Sequence, residues 1–135
     1  MYQLHPRLSA DTLPIARLRL SELRLMNDNR FPWLILIPMR QGITEVHQLE
    51  HQDQQLLIKE SSLVSQLLMD FFRPDKINIA ALGNLVPQLH WHLVARTRKD
   101  PCWPGPVWGC GQCAPYTEQE QLTLIGEIKG RLPLP

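Results

Sequence analysis

Two histidines, His90 and His92, are the residues of this chain whose type and spacing are best suited to chemistry. They lie in residues 88–96, which read QLHWHLVAR. Alternate residues of an extended strand share a face, so Gln88, His90 and His92 point the same way. An imidazole titrates near neutral pH and can act as nucleophile, base or ligand. The run therefore predicts a motif strand with two reactive rings on one face, and an apolar opposite face made of Leu89, Trp91, Leu93 and Ala95.

The hydrophobic pattern upstream of this run predicts the elements that position it. Residues 16–26 alternate as a strand does, with one phase slip, and residues 33–37 are a short apolar run typical of a buried strand. Residues 52–72 repeat apolar side chains at spacings of three and four, which predicts the longest helix of the chain. Residues 77–82 and the motif strand then form a predicted antiparallel pair. The pattern as a whole indicates the α+β class.

Residues 101–130, downstream of the motif strand, predict a loop followed by a short helix. Residues 101–109 contain too much proline and glycine for a helix or strand. They also contain two tryptophans, which are more typical of an ordered loop than of a flexible linker. Residues 117–120 have the form of a capping box, in which Thr and Glu side chains satisfy free N–H groups at a helix start. The terminal helix should end at Gly130.

Composition limits the classes of function. A chain of 135 residues is expected to form one domain, residues 1–135. Fourteen Lys plus Arg balance thirteen Asp plus Glu, so bulk charge gives no reason to expect binding to nucleic acid. No stretch approaches the roughly 18 apolar residues of a membrane span, and the N-terminus has no apolar signal region. We therefore expect a cytoplasmic protein without a membrane partner.

The three cysteines, Cys102, Cys110 and Cys113, invite a redox or zinc interpretation. Their odd number argues against a closed disulfide framework and predicts reduced thiols. A redox CxxC needs a thioredoxin-like context, and a structural zinc site needs four ligands. Cys102 and one motif histidine can complete a zinc set that starts from Cys110 and Cys113. His47 and His51 have a spacing that suits a metal site but lack a third ligand. We expect no metal and no cofactor. We keep as a third hypothesis a metal-dependent or interaction role for the cysteines and for residues 101–109, called the Pro/Trp loop below.

Residues 83–94, GNLVPQLHWHLV, resemble the histidine-triad (HIT) motif, His-φ-His-φ-His-φ-φ, where φ is apolar. Residues 83–87 are similar to the lead-in of the dinucleoside-polyphosphate hydrolase branch of that family. The order of apolar strand, long helix, hairpin and motif strand agrees over residues 16–98. The resemblance implies a HIT-like fold, with an antiparallel sheet of about five strands and helices packed on it, usually as a homodimer.

The same resemblance implies a nucleotide hydrolase or nucleotidyl transferase. His90 holds the position that attacks the α-phosphorus and forms a nucleotidyl-histidine, which water resolves. His92 would contact a phosphate oxygen or assist the leaving group, and Asn84 would hydrogen-bond the phosphate. Asp28 and Asn29 fall where family members hold a ribose. The implied substrate is a nucleoside phosphate, either a dinucleoside polyphosphate or a nucleoside phosphoramidate.

Two positions depart from the family pattern. Gln88 replaces the first histidine of the triad, and Trp33 replaces a fourth histidine found before the upstream strand. In the family the backbone carbonyl at the first position orients the nucleophile, and Gln88 keeps that carbonyl while adding an amide that can bind substrate. The amide cannot take up a proton, so the alternative is a non-catalytic nucleotide-binding protein with a degenerate triad. The interpretation of Trp103 and Trp108 also stays open, between a packed lid or dimer contact and stacking on a base.

Overall fold

A five-stranded antiparallel sheet carries the motif strand next to its centre. The structure, a computed structural model, describes residues 1–133, and the last two residues of the predicted domain 1–135 lie outside this part. The elements are α1 (Pro6–Asp11), β1 (Thr12–Arg17), β2 (Ser21–Met26), β3 (Trp33–Pro38), a 3-10 turn (Val46–Gln48), α2 (His51–Phe72), β4 (Lys76–Ala80), β5 (Trp91–Arg96) and α3 (Glu118–Gly130). The strand order is β1-β2-β3-β5-β4, and every neighbouring pair is antiparallel. The predicted α+β fold with five strands, a long helix and a short C-terminal helix is confirmed.

β3 divides the apolar interior into two layers. All six of its residues are buried, as expected of a central strand with no solvent-exposed face. Leu34 and Leu36 pack in the layer beneath α2, and Ile35 and Ile37 pack in the layer on the opposite face, which is the face of the histidines. β5 follows the predicted alternation, since Leu93 joins the first layer and Val94 the second.

The two predicted helices form where the sequence signals place them. α2 buries an apolar face that includes Leu57, Val64 and Leu68. It ends at Phe72, and the next residue, Arg73, closes the last turn with a left-handed φ of 50°. α3 begins with the predicted capping box, since Thr117 and Glu120 exchange both hydrogen bonds. No helix within residues 1–133 combines the length and apolar character that crossing a membrane requires.

The predicted strand over residues 16–26 is wrong as a single element. β1 and β2 are separate strands of a hairpin whose turn is closed by a hydrogen bond from the Leu18 amide to the Ser21 carbonyl, 2.8 Å long. The turn lacks glycine, proline and asparagine, so no local signal marked it. It is stabilised from α2 instead, because the carboxylate of Glu60 accepts a hydrogen bond from the amide of buried Leu20 at 2.8 Å.

The motif strand starts later than the predicted residue 88. β5 begins at Trp91, because the amide of Leu89 donates to the carbonyl of Ile43, in the loop before α2, rather than to a neighbouring strand. The predicted antiparallel pairing with β4 is confirmed by the register of Asn78 with Val94. Residues 81–90 connect the two strands, and His90 is the last residue of this connection, directly before β5.

The expectation of three reduced thiols is also wrong. Cys102 and Cys110 form a disulfide, because the Pro/Trp loop folds back and brings their Cα atoms to 6.1 Å. Cys113 is a free, exposed cysteine. Among residues 1–133, no three His, Cys, Asp or Glu side chains gather as a metal site.

Candidate functional site

The two motif histidines lie side by side in one cavity. Their ring centroids are 4.9 Å apart at an interplanar angle of 68°, and both side chains are buried. The cavity has a volume of about 380 Å³ and opens above the sheet face that carries them. Its wall comes from α1, the end of β2, the start of β3, the β4–β5 loop and the Pro/Trp loop, through Arg7, Leu8, Asp11, Met26, Trp33, residues 82–86 and Trp108.

The backbone at the first motif position orients the ring of His90. Nδ1 of His90 lies 2.7 Å from the carbonyl oxygen of Gln88. A carbonyl can only accept a hydrogen bond, so Nδ1 of His90 carries the proton. In the neutral ring Nε2 then holds a free electron pair, which is the group that a nucleophilic histidine needs.

His92 is held in the opposite tautomer. The indole N–H of Trp33 donates to Nδ1 of His92 at 3.0 Å, so this nitrogen carries the electron pair and Nε2 carries the proton. Burial, and secondly the neighbouring charge of His90, lower the pKa of His92 to about 3. His92 is therefore a neutral hydrogen-bond donor at physiological pH.

Trp108 closes the site from the Pro/Trp loop. Its ring meets His92 edge-on at 5.2 Å and Trp33 edge-on at 5.7 Å. These contacts make Trp108 a packed wall of the cavity. Trp103 lies elsewhere, with its ring 5.8 Å from the guanidinium of Arg96.

The lead-in to the motif brings Asn84 to the same cavity. Gly83 adopts a left-handed φ of 79°, which a residue with a side chain rarely adopts, and it turns the chain above the sheet. Asn84 follows at the cavity rim with its side chain exposed. Val86 is buried and anchors the loop. The predicted phosphate contact, Asn84, and the predicted nucleophile, His90, thus face one space.

The side chain of Gln88 is occupied by the N-terminal segment. Its Oε1 accepts from the amide of His5 and its Nε2 donates to the carbonyl of Gln3, each at 2.8 Å. Gln88 is not among the residues that line the cavity of His90 and His92. The amide predicted to bind substrate instead fixes the segment that leads into α1, which itself supplies part of the cavity wall.

The Asp28–Asn29 turn lies outside the cavity lining as well. The buried carboxylate of Asp28 accepts from Arg30 Nη2 at 2.8 Å and from the Ala114 amide at 3.4 Å. Burial raises the pKa of Asp28, but the hydrogen bonds from Arg30 outweigh it and hold the pKa below its usual range. The amide of Asn29 donates to the carbonyl of Ala114 at 2.6 Å. The turn therefore ties the C-terminal segment to the sheet.

Sequence reasoning missed the contribution of α1. This helix of six residues places Arg7, Leu8 and Asp11 at the cavity, with Arg7 and Asp11 paired at 3.5 Å. Its only sequence signal is Pro6 at the first helical position. So short a helix has no measurable apolar period, so the pattern of the chain did not reveal it.

Comparisons with known proteins point to one family. A family model of the HIT domain matches residues 8–99. The chain is similar to a histidine triad protein of Sinorhizobium meliloti 1021, with 48% identity, a TM-score of 0.94 and 97% of each chain covered. It is similar to one from Marinobacter aquaeolei VT8, with 48% identity, a TM-score of 0.95 and coverage of 98% of this chain and 96% of the other. A third, from Bradyrhizobium japonicum, shares 42% identity at a TM-score of 0.93, with 96% and 97% covered. No curated protein shows significant similarity to the chain.

Proposed function

The chain belongs to the histidine-triad (HIT) family, and from this premise we propose that it is a nucleotide-binding hydrolase or nucleotidyl transferase acting at the α-phosphate of a nucleoside phosphate. One observation carries the proposal. His90 and His92 share a cavity in opposite tautomers, one fixed by the Gln88 carbonyl and the other by the Trp33 indole. A nucleophile and a hydrogen-bond donor on one small face are what a displacement at phosphorus requires.

In the proposed reaction Nε2 of His90 attacks the α-phosphorus. A P–N bond forms while the bond to the leaving group breaks, and its electron pair departs with that group. The ring becomes positively charged. Its Nδ1–H stays hydrogen-bonded to the Gln88 carbonyl, and this bond stabilises the charge. Water, or the hydroxyl of an acceptor, then attacks the same phosphorus. A P–O bond forms, the P–N bond breaks with its electron pair returning to Nε2, and the proton of the attacking hydroxyl passes to solvent, which regenerates neutral His90.

The remaining cavity residues would bind and orient the phosphate. His92 donates Nε2–H to a phosphoryl oxygen as negative charge develops there, and the amide of Asn84 reaches the phosphate from the loop above. The apolar walls, including Trp33 and Trp108, limit water around the reacting groups. The substrates proposed are a dinucleoside polyphosphate or a nucleoside phosphoramidate.

A non-catalytic nucleotide-binding protein is the second candidate, and Gln88 is the observation that favours it. Its amide cannot titrate, and both of its polar atoms are engaged by the backbone of the N-terminal segment. In this candidate the variant triad keeps the cavity but not the turnover.

Trapping of the covalent intermediate separates the two candidates. Wild-type protein is incubated with α-³²P-labelled diadenosine polyphosphate or adenosine phosphoramidate, then quenched and run on a denaturing gel. We expect acid-labile label on the wild type, no label on His90→Ala, and normal label on His47→Ala, which removes an exposed histidine. Circular dichroism and nucleotide binding verify that His90→Ala is folded. A wild type that binds nucleotide but neither hydrolyses it nor becomes labelled would reject catalysis.

We also propose that the chain is one domain that forms a homodimer. Support for the dimer comes from β4, which ends the sheet with one side open and carries Ile79 with 44% of its surface exposed. Sedimentation equilibrium of the full chain measures the mass, and a monomer at micromolar concentration would contradict the proposal. The cytoplasmic location stays a prediction from the sequence.

A further inference from the structure

We propose that Trp33 is a positioning residue that locks His92 as a permanent Nε2–H donor, and that the site therefore prefers substrates whose leaving group departs as a stable anion, as in a phosphoric anhydride. The first half concerns the resting protein alone. The second half rests on the proposed reaction at His90.

Packing fixes the Trp33 indole in one orientation. The residue starts β3, pairs with Val94 and stands diagonally across from His92, which pairs with Ile35. Trp33 is 6% exposed, and its ring is met edge-on by Phe31 at 6.3 Å and by Trp108 at 5.7 Å. An indole enclosed in this way cannot turn its N–H away from His92 without disturbing the buried layer.

The indole N–H can only donate, and this constrains His92. As long as the 3.0 Å bond exists, Nδ1 of His92 must carry an electron pair, so the proton stays on Nε2. If Nδ1 of His92 were protonated, its N–H would face the indole N–H of Trp33 in a buried cavity, and neither donor would have an acceptor there. A histidine at position 33 could either donate a hydrogen bond to His92 or accept one from it, whereas a tryptophan can only donate. Trp33 thus removes from His92 the ability to take up a proton.

This lock has a consequence for the leaving group. A neutral imidazole stabilises an oxyanion by hydrogen bonding but is a very weak acid, so His92 supplies no proton to the departing atom. The nitrogen of a phosphoramidate must gain a proton as the P–N bond breaks. The phosphate released from an anhydride takes the electron pair of the P–O bond and needs no proton. The arrangement around His92 accordingly favours the anhydride.

Nitrogen NMR of the full-length protein tests the lock directly. With ¹⁵N-labelled histidine, the shift difference between Nδ1 and Nε2 is largest for a single neutral tautomer and shrinks on exchange or protonation. We expect the largest difference for His92 in the wild type from pH 5 to pH 8, a smaller one in Trp33→Phe, and a pH-dependent one in Trp33→His. Trp108→Phe is the matched control, because Trp108 meets the same ring through its edge, and it should keep the wild-type tautomer.

The rates of turnover of the two substrate classes test the proposed preference for an anhydride over a phosphoramidate. The ratio of kcat/KM for diadenosine polyphosphate to that for adenosine phosphoramidate should fall at least tenfold in Trp33→His, since general-acid catalysis typically contributes about 10²–10⁴-fold. A wild-type-like NMR shift difference in Trp33→Phe, or a protonated Nδ1 in the wild type, would overturn the lock. A ratio unchanged within twofold would overturn the preference. If the wild type turns over neither substrate, the proposed function fails, and the NMR result still decides the role of Trp33.

Discussion

Replacing Asp100 with asparagine tests how the loop that carries Trp108 is held to the motif strand. The carboxylate of Asp100 accepts from Nε and Nη2 of Arg96, at the end of β5, at 2.8 and 3.0 Å. It also accepts from three backbone amides of the loop itself, those of Thr97, Cys102 and Trp103. The side chain of Arg96 is 1% exposed, so a neutral partner leaves a buried charge without its counter-ion.

The size of the effect follows from the pKa of Asp100. Hydrogen bonds from Arg96 lower this pKa from 3.8 to about 2, although burial opposes the change. A shift of this size corresponds to about 2 kcal/mol of folding free energy. Because the folded-state pKa is the lower one, the contribution is complete above about pH 5 and is lost as the pH falls towards 2. Asparagine has no such dependence, so the deficit of Asp100→Asn should shrink in acid.

Urea unfolding followed by far-UV circular dichroism at pH 7, 5, 4 and 3 measures the deficit. We expect Asp100→Asn to unfold with about 2 kcal/mol less free energy than the wild type at pH 7, and about half of that difference at pH 3. Asp70→Asn is the control, since Asp70 is exposed on α2 and hydrogen-bonds only Gln66 among the described side chains. A deficit under about 0.5 kcal/mol at pH 7, or one that does not change by pH 3, would refute the reasoning.

Two further variants test Gln88 and Asp28, the predicted substrate contacts that lie outside the cavity lining. Gln88→Ala removes two hydrogen bonds to the N-terminal segment, so we expect a loss of about 1–2 kcal/mol in urea unfolding. Its KM should rise more than its kcat falls, because α1 supplies cavity wall, and a kcat loss as large as that of His90→Ala would contradict this role. Asp28→Asn loses the ionic partner of Arg30 and should destabilise the protein by about 1–3 kcal/mol. Its nucleotide Kd by calorimetry should stay within twofold, whereas tenfold weaker binding would place Asp28 on the ribose.

Much of the fold was predictable because its signals are local. The period of α2, the alternation within β5 and the capping box of α3 are each encoded by neighbouring residues. Each is confirmed, although β5 starts at Trp91 rather than at residue 88. The period of a strand predicts that His90 and His92 share a face. In the structure His90 precedes β5, and the carbonyl of Gln88 orients its ring beside His92. The β1–β2 turn and α1 were not predicted as such, because neither has a strong local signal.

The electronic state of the site was decided by tertiary contacts. Gln88 meets His5 across 83 positions and Trp33 meets His92 across 59, and each of these pairs joins elements that only the folded sheet brings together. The disulfide of Cys102 likewise depends on how a loop folds back. The sequence alone determined which side chains can do chemistry, since the types and the spacing of His90 and His92 are local properties of the chain. Which ring nitrogen carries a proton depends on the partner that packing presents to it, so only the tertiary structure decided the tautomers of His90 and His92.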